Sequence, residues 1–387
     1  MDYAYALLDG GYIPDAALRP VIRQLCRKRQ REIEHGSFAA NHAAKMSFIS
    51  DLYNRPIAIK QEKANEQHYE VPTSFLQLCL GPRMKYSSCL WPDFRKSSIG
   101  DAEDAILASY CRDAKLGVGL RGVGKRGPTK VTAAGSDRDE ETPEMMGIQE
   151  ERTYPPGREG EGLKILDLGC GWGSLGLFLA EHYPLASITM LSNSRTQKDH
   201  IDRTAQAKGF ANVEVITGDV NTYDFEEKGR FTHILSIEMF EHMKAYPLLF
   251  HKVSTWLSPG GLLFIHIFCH RSQPYHFEES DGWMAQTFFS GGTMPSFDLF
   301  TFFQRDLILL GSTYLNGKHY AATLESWLKL QDKNAKEGKK VLCDAMGQEE
   351  GMKTFYRFRV FFMACAEFFA MDNGETWGVG RYLFEKR

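Results

Sequence analysis

The chain has 387 residues, 43% of them hydrophobic, which is ample for one large packed core or two smaller ones. Its 46 Lys and Arg against 49 Asp and Glu leave a formal charge of −3, with no electrostatic case for a nucleic-acid partner. No apolar run is long enough to span a bilayer, and the start of the chain lacks the sections of a signal peptide, so a cytoplasmic protein is expected.

Residues 14–55 read as helical, opened by Pro14 and Asp15, with Leu18, Ile22 and Leu25 at helical spacing. The Lys and Arg cluster from Arg23 to Arg31 sits among Leu25, Glu32 and Ile33 and reads as a solvated helix face. A further helix is predicted over 101–113. Residues 116–162 change character, with many glycines, an acidic run and Pro155-Pro156 but few large apolar side chains. That composition predicts a disordered insertion between an N-terminal helical region (1–115) and a second domain (163–387). No internal repeat is found. The eight cysteines contain no C-x-x-C pair and read as reduced thiols; no metal site is expected.

From Leu163 strands and helices alternate. Strands are predicted at 164–168, 187–191, 213–217, 232–237 and 262–267, the pattern of an α/β fold with a doubly wound, mostly parallel sheet. An aromatic-rich stretch at about 270–302 reads as a small cap, followed by strands at 307–315 and 382–385. Tyr275, Phe277, Trp283, Phe288 and Phe289 either line a pocket for a flat cation or form the core of that cap.

The first of these strands runs into Asp167-Leu168-Gly169-Cys170-Gly171-Trp172-Gly173, a glycine turn followed at once by a helical run. Glycines there let the backbone turn and approach a ligand, with helix N–H groups facing it. The G-x-G-x-x-G spacing at 171–176 raises a dinucleotide. Such a site places an acid roughly 20 residues on, but the second strand ends in Ser192-Asn193-Ser194. S-adenosylmethionine fits better: Asp167 before the turn suits its ammonium, and Asp219 at the end of the third strand suits the adenine amine. Asn193 and Gln197 can bind the ribose; alternatively they are a helix cap and a solvated helix residue.

The fourth strand leads into Glu238-Met239-Phe240-Glu241-His242 at the carboxyl edge of the sheet, where ligands of such folds lie. If a helix opens there, Glu238, Glu241 and His242 share one face. Two carboxylates beside an imidazole suit methyl transfer to an amine: the His takes the ammonium proton, a Glu orients it, and a fixed carboxylate stabilises charge developing on nitrogen. The plainer reading makes the acids favourable first-turn residues and His242 an ordinary buried polar group.

These segments carry a resemblance. Gln67 to Thr73, Met84 to Cys89, the glycine turn, Ser192 to Ser194, and Ser236 to Lys244 are similar to the coclaurine N-methyltransferase branch of the cyclopropane-fatty-acid-synthase-like methyltransferases. So are Phe268 to His270, Tyr275 to Glu278, Gly291 to Ser296, Asn316 to Tyr320 and Asn373 to Trp377. The resemblance covers nearly the whole chain except the insertion. It implies a class I, Rossmann-like methyltransferase fold with a helical N-terminal part over the cofactor, and S-adenosylmethionine as methyl donor. Cofactor contacts would fall on Tyr86, Ser87, Gly169, Asn193, Gln197, Asp219, Val220 and Ile237, beside the turn residues Asp167 and Gly171. Amine-site residues would fall on Tyr69, Glu70, Glu238, Glu241 and His242.

The family's C-terminal cysteine corresponds to Cys365, within the apolar run 361–369, where a catalytic thiol and a packed one are both open. Related lipid-cyclopropanating enzymes use a Tyr-Ser-Cys motif to hold bicarbonate; here Ser88 stands at that place and Cys89 follows. The expectation is an S-adenosylmethionine-dependent N-methyltransferase for a cyclic, tetrahydroisoquinoline-like amine. Carbon methylation or cyclopropanation of an acyl chain is the first alternative, and a non-catalytic cofactor-binding protein the second. A small-molecule partner is expected; a homodimer stays open.

Overall fold

The computed structural model describes residues 2–57, 71–117, 154–155, 157–278, 282–288 and 291–387. Strands β1 (Lys164–Leu168), β2 (Ser187–Ser192), β3 (Val213–Thr217), β4 (Phe231–Ile237), β5 (Leu257–His270), β8 (Leu307–Leu315) and β9 (Trp377–Lys386) form one seven-stranded sheet in the order β3-β2-β1-β4-β5-β9-β8. The first five are parallel, and β9 and β8 extend the sheet antiparallel. Two short strands, β6 (Tyr275–His276) and β7 (Thr293–Met294), pair separately in the cap. The helices are α1 (Asp2–Asp9), α2 (Asp15–Glu32), α3 (Phe38–Leu52), α4 (Thr73–Cys79), α5 (Ile99–Asp113), α6 (Ser174–His182), α7 (Arg195–Lys208), α8 (Tyr246–Trp256), α9 (Trp283–Thr287), α10 (Gly317–Lys333), α11 (Ala335–Met346) and α12 (Gln348–Phe369).

Why the sheet is sandwiched follows from the period of two in its strands. Ile165 in β1 and Phe264 in β5 face one core with α4, α5, α10 and α12. Leu166, Leu168, Leu263 and Ile265 face the other, against α3 and α8. Both faces are covered, so the strands read as apolar runs. In-register pairing sets Leu168 beside Leu191 and Asp167 beside Leu235, which brings the carboxyl ends of β1, β2 and β4 to one edge.

The helical region expected over 14–55 is broken. Helix α2 ends at Glu32, and α3 restarts behind Ser37, whose hydroxyl accepts from Ala40 N–H at 3.1 Å. Leu18, Ile22 and Cys26 bury one face of α2, while Leu25 is exposed. The basic face is only partly solvated: Arg19 bridges Glu325 and Glu367, and Arg23 reaches Glu367 at 2.9 Å, which fastens α2 to α10 and α12. Most of the insertion, 118–153 with residue 156, lies outside the described residues. Its described ends are packed, with Leu116 buried and Tyr154 Oη donating to the Leu116 carbonyl at 2.9 Å.

Candidate active site

Strand β1 delivers Asp167 to the carboxyl edge fully buried, where Oδ2 accepts from Gly176 N–H at 3.1 Å and so closes the glycine turn onto α6. Burial pushes this carboxyl up to about 7. Gly169 and Gly171 take φ of 83° and 52°, a region that costs other residues strain. A Cβ on Gly169 would lie 2.6 Å from Met239 Cγ, whereas one on Gly171 would project into open space. Both glycines line a cavity whose walls also include Lys85, Tyr86, Ser87, Asp167, Ile237 and Glu238.

Of the residues expected to hold the methyl donor, Tyr86, Ser87, Asp167, Gly169, Gly171 and Ile237 line this cavity, whereas Asn193, Gln197, Asp219 and Val220 are not part of its lining. Gln197 is buried, not solvated: its Oε1 accepts from Ser192 Oγ at 2.5 Å, and its Nε2 has no hydrogen-bond partner among the described residues. The cap of α7 is Ser194, not Asn193, and Asn193 is exposed at the end of β2. Asp219 closes the β3 edge, where its Oδ1 accepts from Asn221 N–H at 2.8 Å and its second oxygen is weakly engaged at 3.4 Å. Val220 beside it is buried, and Ile237 is half-buried at the end of β4. Tyr86 is held by its ring, edge-on to Trp172 at 6.0 Å and stacked on Trp327 at 5.3 Å.

Beyond β4 the chain does not enter an α-helix. Glu238 sits at φ 48°, and only a short 3-10 turn, Phe240–His242, follows. The shared helical face of Glu238, Glu241 and His242 is therefore not formed. Instead Glu238 is gripped from three distant segments. Its Oε1 accepts from Ser88 N–H at 3.0 Å and meets His266 Nε2 at 3.2 Å, and Tyr320 Oη donates to its Oε2 at 2.6 Å. Glu241 is buried with Oε2 unpaired among the described residues; burial first, then the Glu238 charge, pushes its carboxyl well above the ordinary range. His242 is half-buried. Tyr69 and Glu70 lie outside the described residues.

Several groups at this centre were not singled out in the sequence. His266, fully buried in β5, links Glu238 to Tyr110, whose hydroxyl is 3.1 Å from His266 Nδ1. Burial lowers its pKa to about 4, so the ring is neutral. Its signal was a histidine inside the apolar run 262–267. Tyr320 belonged to a recognised segment, but nothing local gave it a role. Lys85, buried in the cavity wall, also lay in a recognised segment, Met84 to Cys89, with no role given to it there.

Cys365 on α12 is half-buried, and burial pushes its thiol above the ordinary range. No activating base adjoins it among the described residues, which favours the packed reading. Cys89 is fully buried, its thiol pushed up to about 12, and Ser88 offers Glu238 a backbone N–H rather than a side chain. Of the cap aromatics, Tyr275 and Phe288 are core residues, with Phe288 stacked on Phe361 at 4.4 Å; Phe277 and Trp283 are half-buried, and Phe289 lies outside the described residues. Buried Lys244 moors the cap through the Gly292 carbonyl at 2.8 Å and Thr293 Oγ1 at 3.0 Å. Among the described residues no cluster of metal-ligating side chains occurs, and no helix is long and apolar enough to cross a membrane.

The family model described as mycolic acid cyclopropane synthetase matches residues 158–378. The (S)-coclaurine N-methyltransferase of Thalictrum flavum subsp. glaucum is 31% identical over 98% of this chain and 94% of its own. That of Papaver somniferum is 31% identical over 97% of this chain and 96% of its own. The crystal structure of a coclaurine N-methyltransferase bound to N-methylheliamine and S-adenosylhomocysteine superposes with a TM-score of 0.85, at 30% identity, covering 99% of both chains. A seven-stranded, mostly parallel sheet, a glycine turn between two aspartates, and likeness over the full length agree: the chain belongs to the cyclopropane-synthetase-like family of S-adenosylmethionine-dependent methyltransferases, in its coclaurine N-methyltransferase branch.

Proposed function

We propose that this enzyme methylates the nitrogen of a cyclic, tetrahydroisoquinoline-like amine, with Asp167, Gly169, Gly171, Gln197 and Asp219 among the residues that hold the methyl donor. The bound donor supplies an electrophilic methyl group. The observation that carries the reading is Glu238, a carboxylate fixed by three donors at the wall it shares with the glycine-turn cavity. Such a group needs no reorganisation to face charge that moves onto nitrogen.

Glu241 and His242 supply the proton chemistry. Burial first, then the Glu238 charge, raises the proton affinity of the Glu241 carboxylate; in its ionised form it takes the proton of the bound ammonium, which frees the nitrogen lone pair and leaves Glu241 as the neutral acid. His242, half-buried at the end of the 3-10 turn, passes that proton outward. Tyr69 and Glu70 are proposed, from the resemblance alone, to complete the amine site.

The names of the relatives, which act on coclaurine, support the same substrate class. The Ser at 88 and the fully buried Cys89 weigh against acyl-chain chemistry. The test is incubation of purified protein with methyl-labelled donor and a panel of cyclic amines and phospholipids. Label in a secondary cyclic amine is expected; label in phospholipid and in no amine would overturn the proposal.

A further inference from the structure

Lys85 is 2% exposed, yet its ammonium is held among the described residues by neutral oxygens rather than by a carboxylate in direct contact. Nζ donates to the Ser88 carbonyl at 2.8 Å and to Ser87 Oγ, and lies 5.4 Å from the centre of the Tyr110 ring. Burial lowers its pKa, and Cys89, Glu238, Glu103 and Asp167 oppose that only at longer range. A cation buried this way is costly, and it stands in the wall of a cavity that receives a cationic donor and a cationic acceptor. Its position must therefore do something that a neutral side chain would not.

The hydrogen bonds indicate what. A serine hydroxyl has one proton to give. Since Ser87 Oγ accepts from Lys85, that proton is directed elsewhere, and Ser87 lines the cavity. One residue on, Ser88 accepts from Lys85 through its carbonyl while its N–H donates to Glu238 Oε1. The turn is fixed from behind by Glu103, which accepts from Arg83 N–H at 2.8 Å and Lys85 N–H at 3.3 Å, and Met84 is strained at φ 53°. One ammonium thus holds two consecutive residues, one facing the methyl donor's cavity and the next facing the acceptor carboxylate.

We propose that Lys85 is a positioning residue that couples the two halves of the site: it makes Ser87 a hydrogen-bond donor toward the methyl donor and holds the Ser88 amide against Glu238. This rests on reading the cavity as the donor's and Glu238 as the acceptor's.

The test compares Lys85→Met with Ser87→Ala and Glu238→Gln, by calorimetric titration with S-adenosylhomocysteine and by turnover on the best amine. Lys85→Met is expected to lose tenfold or more in both affinity and kcat, whereas Ser87→Ala loses affinity alone and Glu238→Gln loses kcat alone. The double variant Lys85→Met/Glu238→Gln should lose less kcat than the product of the single losses.

A folded Lys85→Met protein, with unchanged melting and near-UV dichroism, that keeps both quantities within twofold overturns the proposal; so do strictly multiplicative losses. Where Lys85→Met does not fold, Lys85→Gln is measured in the same way, and failure of both to fold makes Lys85 a folding residue and overturns the coupling role. The titration needs no acceptor, so a wrong amine class leaves it standing. Absence of S-adenosylhomocysteine binding to the unaltered protein would fall on the cofactor reading instead.

Discussion

The two halves of the proposed site are built in different ways. The donor half is mostly one continuous segment: β1, the glycine turn and the start of α6, with Asp167 tied to Gly176 nine residues on. The acceptor half is assembled from the turn at Ser88, the end of β4, His266 in β5 and Tyr320 in α10. A local device needs only the right backbone and a few small residues. A composite one needs the whole fold to be in place before its carboxylate is held, so damage to it should fall on turnover and damage to the turn on affinity.

Substitution at the centre of the composite half should separate the two most sharply. Glu238→Gln keeps the shape and removes the charge, and turnover should fall about 10³-fold, while the Kd for S-adenosylhomocysteine stays within about threefold. His242→Ala should lower kcat about 10²-fold, as for loss of a proton-transfer group; an equal loss of cofactor affinity would make the histidine structural.

On the donor side, Gly171→Ala puts a strained φ and an added methyl group at a turn that lines the cavity. S-adenosylhomocysteine affinity should weaken about tenfold, at a stability cost of about 1 kcal/mol, with kcat at saturation little changed.

Asp167 gives the same half a pH signature. Its folded-state pKa of about 7 is raised above the ordinary value of 3.8, so the stability it contributes is present below the carboxylate range and is lost as pH rises through about 7. Glu103, also raised to about 7, acts with the same sign. The free protein should therefore gain stability from pH 8 to pH 6, and Asp167→Asn should remove part of that gain. Affinity for the ammonium-bearing ligand should move the other way, falling by up to about tenfold per pH unit below 7; a flat profile would mean Asp167 does not meet the ammonium. The smallest effect is expected at Cys365: Cys365→Ala should keep kcat within about twofold and cost about 1 kcal/mol of stability.

The same contrast explains what the sequence revealed. Strand β1 was legible to the residue because a buried parallel strand is a short apolar run between breakers; the edge strands β3 and β8 were bounded as closely, and the turn was legible because three glycines alternate within five residues. Glu238 was found as a residue, but its partners were not. His266, Tyr320 and the Ser88 amide meet it across separations of 28, 82 and 150 residues, which no local pattern encodes. The helix expected at Glu238 failed because the tertiary grip on that carboxylate sets its backbone at φ 48°, a conformation the spacing of Glu241 and His242 does not announce.

That backbone angle has an evolutionary reading. A residue other than glycine held there costs of order 1–3 kcal/mol, so drift at position 238 is drawn toward glycine, which relieves the angle and abolishes the carboxylate. A Glu238→Gly enzyme would leave His266, Tyr320 and the Ser88 amide without their acceptor, so selection for robustness and selection for turnover pull this one position in opposite directions. Engineering the protein for heat tolerance should therefore leave 238 alone and draw its gains from the packed helices around α12.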